Sequence, residues 1–225
     1  MSKAESYFAR IVRVFISYSH LDRKLAGGIK STLDEYGMAV FLAHEDIEPT
    51  RQWQDVILGK LKRCDVFLPL LTKQFSDSSW VDQESGIAVA MDKFIIPVKL
   101  DVDPYGFIEK YQALKFDRRM YRESCKQIVK IIANRAEFSE AVKDGVIQSF
   151  LRSDSYEQAN RRSLIVEGLA PYTTEQLNEI IRGGARNGQI YQGFTAIRIM
   201  DRLIDINYKK LNKKAVKEFK GRAGL

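Results

Sequence analysis

Through the first half of the chain, apolar residues either alternate with polar ones or gather in short runs bounded by turn formers. Such segments occupy 11–17, 39–42, 65–71, 94–100 and, more weakly, 113–116. Period-two alternation and apolar runs of this length predict strands. Between them the apolar spacing lengthens to three and four over 23–36, closed by Gly37, and again over 53–63 and 79–91, which predicts helices. A strand–helix–strand–helix order requires right-handed crossovers and parallel pairing, so the expected core is a five-stranded parallel sheet covered on both faces.

Beyond Asp117 the strand pattern fades and helical spacing takes over. Ile128, Ile131 and Ile132 share one face of a helix expected over 121–134, and 138–151 repeats the pattern. Thr173, Thr174 and Glu175 after Pro171 read as a helix start and Gly183-Gly184 as its stop, with another helix at 195–208 after the Gly193 turn. The division expected is an α/β domain at 1–134 and a helical accessory or regulatory domain at 135–225.

Composition narrows the class. The chain has 225 residues, 45% of them hydrophobic, yet no apolar stretch near the roughly 20 residues of a spanning helix and no signal-like leader, so a soluble cytoplasmic protein without a membrane partner is expected. Cys64 and Cys125 fit no metal or disulfide spacing, and His20 and His44 are the only histidines, so no metal and no bound cofactor are expected. The net charge of +7 is uneven: Lys plus Arg against Asp plus Glu gives 15 − 17 = −2 for residues 1–117 and 21 − 12 = +9 for 118–225. Those basic residues are dispersed along helices and densest between Lys209 and Lys220, which reads as solvated helix faces; nucleic acid is the less favoured partner, and its binding would fall steeply with salt.

Ligands of open parallel sheets bind beyond the carboxyl ends of the strands. Ser17, Tyr18, Ser19 and His20 follow the first strand, the segment 43–52 follows the second, and 75–79 follows the third and leads into a helix. Trp80 and Glu84 stand four apart on that helix, which puts an indole and a carboxylate on one face.

These residues carry a resemblance. Val14-Phe15-Ile16-Ser17-Tyr18-Ser19 with Asp22, the segment 41–53 with Ile47-Glu48-Pro49 before Trp53, and Trp80-Val81-Asp82-Gln83-Glu84 are similar to the ordered motifs of Toll/interleukin-1 receptor (TIR) domains over about half the chain. The resemblance implies a flavodoxin-like fold. The Trp80-x-x-x-Glu84 pattern is similar to the bacterial-type branch that cleaves the nicotinamide–ribose bond of NAD+. By that analogy Glu84 is catalytic, Trp80 is its aromatic neighbour, Tyr18, Ser19 and His20 line the nucleotide site, and Glu48 contacts it from the loop. NAD+ is then the substrate, ADP-ribose or a cyclic ADP-ribose isomer the product, and self-association through the TIR domain is implied, in a setting of immune, anti-phage defence. Two positions depart from the pattern: Ala43 stands where many members carry an acid, and Pro49-Thr50 replaces Pro-Gly.

The chemistry needs little from the protein. Nicotinamide in NAD+ is a cationic pyridinium that departs neutral, so no general acid is required and a single carboxylate can stabilise the positive charge developing on the ribose. The alternative is a non-enzymatic TIR adaptor, in which Glu84 is an ordinary helix carboxylate and 43–52 binds another TIR domain. Capping of the first helix is the expected role of Asp22. In 135–225 no catalytic spacing appears, and the glycines at 183–188 do not match a phosphate loop.

Overall fold

The computed structural model describes residues 10–43, 53–76 and 78–225. It divides into two compact units, with Ile11–Ile131 forming one and the residues from Ile132 to Leu225 forming the body of the other.

Among the described residues the first unit holds six short strands: β1 (Arg13–Ser17), β2 (Ala39–Leu42), β3 (Val66–Leu71), β4 (Phe94–Ile95), β5 (Val98–Lys99) and β6 (Leu114–Lys115). All pairings are parallel, in the order β2-β1-β3-β5-β6, with β4 also on β3. The segment expected as one strand over 94–100 is therefore two. Pro69 on β3 and Pro97 between β4 and β5 both lack an N–H, so the ladder breaks between the Phe67–Ile95 and Leu70–Val98 pairs.

Helices α1 (Arg23–Glu35), α2 (Trp53–Arg63), α3 (Ser79–Ala90) and α4 (Tyr121–Ala133) connect or follow the strands, close to the expected limits. Gly37 ends α1 at φ 83°, a left-handed position that favours glycine. Every residue of β3 is buried, as expected for a central strand covered on both faces. In register across β2, β1 and β3, Phe41, Phe15 and Phe67 stack with centroids 5.3 and 5.8 Å apart, each pair worth about 0.5–1.5 kcal/mol beyond its burial. The exposed edge of β2 is closed by α1: the Val40 N–H donates to Asp34 at 3.0 Å, and Lys30 Nζ donates to the Val40 carbonyl at 2.5 Å. Both cysteines are buried and free, and burial pushes their thiols up, Cys64 to about 11 and Cys125 to about 12.

The second unit is helical: α5 (Ala136–Leu151), α6 (Tyr156–Gly168), α7 (Thr174–Arg186), α8 (Gly188–Tyr191), α9 (Phe194–Asn207) and α10 (Lys213–Ala223). A capping box between Thr173 and Gln176 starts α7 where the sequence placed a start. Gly183-Gly184 does not stop the helix. Both glycines lie inside α7, where a Cβ would meet Leu151 of α5 and Met200 of α9 at 2.5 Å, so they serve close helix packing. Gly193 leaves α9 without a capping side chain of its own, and Asn160 Oδ1 from α6 accepts from the Thr195 and Ala196 N–H groups at 2.9 and 3.0 Å instead.

Candidate active site

Strand β1 ends at Ser17, and α3 follows β3, so the carboxyl end of the sheet centre and the first turns of α3 meet. Ser17 Oγ donates to Glu84 Oε2 at 2.5 Å, and Trp80 Nε1, one turn earlier on α3, donates to Glu84 Oε1 at 2.8 Å. Glu84 is 1% exposed and Ser17 is fully buried, whereas Trp80 is half-buried and is the outermost of the three. The i, i+4 spacing read from the sequence thus becomes a direct hydrogen bond. Ser17, which the motif reading carried but did not assign to the site, supplies the second one. Its signal was a polar residue closing the otherwise apolar run of a central strand, at the end where ligands bind.

No basic side chain among the described residues pairs with Glu84. Burial disfavours its anion and pushes the carboxyl up from 4.5 to about 7, against the opposing pull of the hydrogen bonds from Ser17 and Trp80. The site is therefore a desolvated carboxylate held by two neutral donors. It accepts a proton near neutrality and is strongly attracted to a cation, because a buried negative charge lacks water to screen it.

The other expected residues fall differently. Tyr18 is 0% exposed and belongs to the core, so its ring presents no open stacking surface. Ser19 is 4% exposed, and its carbonyl accepts from the Asp22 N–H at 2.7 Å in a short 3-10 turn. His20 stands on that turn, exposed to solvent. Asp22 does not cap α1 with its side chain. Its carboxylate instead accepts from Thr72 Oγ1 at 2.5 Å, pinning the turn after β1 to the residue after β3. Glu48 and the side chain of Trp53 lie outside the described residues. Among the described residues, no group of three or more His, Cys, Asp or Glu is placed to hold a metal ion, and no helix is long and apolar enough to cross a membrane.

Residues 14–131 match the family model described as the TIR domain, and this span holds β1 through most of α4. The chain belongs to the TIR domain family. No curated protein matches it. Among solved structures, the TIR domains of the activated Roq1 resistosome directly recognizing the pathogen effector XopQ share 14% identity with it, over 71% of this chain and 99% of that one, with a TM-score of 0.39. The TIR match stops where the first unit stops, and the helices of 132–225 lie beyond it.

Proposed function

We propose that this TIR protein cleaves the nicotinamide–ribose bond of NAD+, with Glu84 as the catalytic carboxylate. The observation that carries the reading is the buried Glu84 carboxylate, without a cationic partner among the described residues, held between Ser17 and Trp80 at the carboxyl end of a parallel sheet. A bound pyridinium brings a positive charge to the anion, which lowers the carboxyl's proton affinity and favours the ionised form. As the C1′–N bond breaks, its electron pair leaves with neutral nicotinamide, and the charge moves to the ribose, where the anion stabilises it. Water then bonds to C1′ and gives up a proton. A carboxylate titrating near 7 is well matched to take that proton and return it to solvent. Attack by a nitrogen of the substrate's own adenine in place of water gives a cyclic ADP-ribose isomer.

At 1% exposure Glu84 must be uncovered before a ribose reaches it, and Trp80, the half-buried side chain that donates to it, is the neighbour we expect to move. Self-association through the TIR unit, control by the helical unit and an output of NAD+ depletion or a nucleotide signal in bacterial defence complete the reading.

The test is NAD+ turnover by the purified chain over a range of protein concentrations, with products separated and Glu84→Gln alongside. Nicotinamide release that vanishes in the variant is expected, with activity rising more than linearly in protein concentration if assembly is needed. Equal turnover in both proteins removes Glu84 as the catalytic carboxylate, and none in either at the highest concentration removes the enzymatic reading and leaves the adaptor.

A further inference from the structure

At the amino end of the same sheet, the edge strand β2 and the helices α1 and α2 enclose an open cleft of about 590 Å³. Its walls carry Arg13, Lys30, Lys60 and Arg63 around the ring of Phe41, with Asp34 as the only acid among the described residues lining it, and the Asp65 carboxylate beside it accepts from the Arg13 backbone N–H at 2.9 Å. This concentration is local. The unit from 11 to 131 is close to neutral, with 18 Lys and Arg against 17 Asp and Glu.

We propose that this cleft binds a small molecule through its phosphate groups, as an effector site separate from Glu84. Asp34 is already engaged, by Lys30 at 3.2 Å and by the Val40 N–H at 3.0 Å. Arg13, Lys60 and Arg63 form no ion pair among the described residues. Each is nevertheless steadied by one contact: Arg13 Nη1 donates to the Arg63 carbonyl at 3.3 Å, Arg63 Nε donates to the Gly59 carbonyl at 3.1 Å, and the Lys60 ammonium lies 5.0 Å from the Phe41 ring centroid. A guanidinium has five N–H donors in a rigid fork, so one such contact orients it while leaving donors for two phosphate oxygens at once. Partial immobilisation before binding also lowers the entropy lost on binding.

The volume lies within the range of about 300–1,000 Å³ common to small-ligand sites, and a concave, cation-rich cleft suits a compact polyanion better than a flat surface does. Arg13 opens β1 and Ser17 closes it, so the cleft and the Glu84 site are separated by roughly 13 Å of extended chain. Phosphates held here are therefore remote from the carboxylate.

Calorimetric titration of the 225-residue chain at low ionic strength with inorganic pyrophosphate, ADP and adenosine tests the site. Saturable binding of pyrophosphate and ADP is expected, with none for adenosine. The double variant R13Q/R63Q should weaken both phosphate probes at least tenfold. The pair K209Q/K210Q removes the same charge far along the chain and should bind as the unaltered protein does. Melting curves report whether R13Q/R63Q stays folded; if it melts early, Lys60→Gln takes its place, with a loss of threefold or more expected. The proposal is overturned if neither phosphate probe saturates, if adenosine binds as ADP does, if the control pair weakens binding equally, or if the cleft variants bind undiminished.

Discussion

Replacing Ser17 by Ala removes one hydrogen bond to Glu84 and almost nothing else, since the two side chains differ by a hydroxyl and the position is fully buried. That bond favours the anion, so its loss raises the carboxyl above its present value of about 7. A hydrogen bond to a charged group is worth about 1.5–3 kcal/mol, and each 1.36 kcal/mol moves a pKa by one, so the acid limb should rise by about one to two pH units. At pH 7 the ionised fraction then falls from roughly half to between roughly a tenth and a hundredth, a loss of about 5- to 50-fold in kcat/KM. By pH 9.5 most of that loss should return.

The assay is the pH profile of kcat/KM for NAD+ cleavage from pH 5 to 10, for the unaltered protein and Ser17→Ala. In the unaltered protein, activity should rise with a midpoint near 7, the value burial gives the free carboxyl. A uniform drop at every pH, with the limb unmoved, would refute the reasoning: Ser17 would then orient the carboxylate without setting its ionisation. An unaltered profile would show that the bond contributes nothing.

Trp80→Phe keeps an aromatic ring but removes the Nε1–H that donates to Glu84, so its acid limb should also rise, by about one unit, in the same pH series; an unmoved limb counts against the indole as a donor. In the helical unit, Gly193→Ala would place a Cβ 2.6 Å from the Gln189 carbonyl oxygen and 3.0 Å from the Asn160 Oδ1 that caps α9. Backbone must shift to admit it, so urea unfolding of that unit should show a loss of about 1–3 kcal/mol, and an unchanged midpoint would contradict the packing described.

The parallel sheet was legible because the change of apolar spacing from two to three and four, repeated along 11–100, allows few other arrangements. Glu84 and Trp80 were legible for a similar reason: helical spacing fixes which side chains are neighbours before any fold is known. Contacts between distant segments were not. Nothing local in Ser17 says that α3 will lay a carboxylate against it 67 residues later, or that Thr72 will take the carboxylate of Asp22 and leave α1 uncapped. Tyr18 shows the same limit, since a strand-end tyrosine beside a polar turn reads equally well as a ligand surface or as a cap on the strand edge, and neither reading foresees that its side chain is buried. Gly183-Gly184 misleads because a helix stop and a close helix crossing use the same residue for different reasons, one for its backbone freedom and the other for its missing side chain.

The carboxylate that the proposed chemistry needs should be a burden to the fold, and the burden has a definite sign. In the unfolded chain Glu84 titrates near 4.5, and in the folded protein near 7. Below about pH 4.5 both states hold the proton and the group is neutral to stability. Between 4.5 and 7 the unfolded chain ionises first, so stability falls as pH rises, and above 7 the full loss remains, about 3 kcal/mol for this difference. Glu84→Gln removes the charge while its amide still offers Trp80 an acceptor and Ser17 a donor, so the buried polar atoms stay paired. The variant should therefore be inactive yet more stable than the parent at pH 8 by up to about 3 kcal/mol, with the gap closing toward pH 4.5 in urea titrations across that range. A structural role for Glu84 predicts the reverse, a variant less stable at every pH. Stability and turnover moving in opposite directions at one residue would mark a group retained for its chemistry, against the preference of the fold.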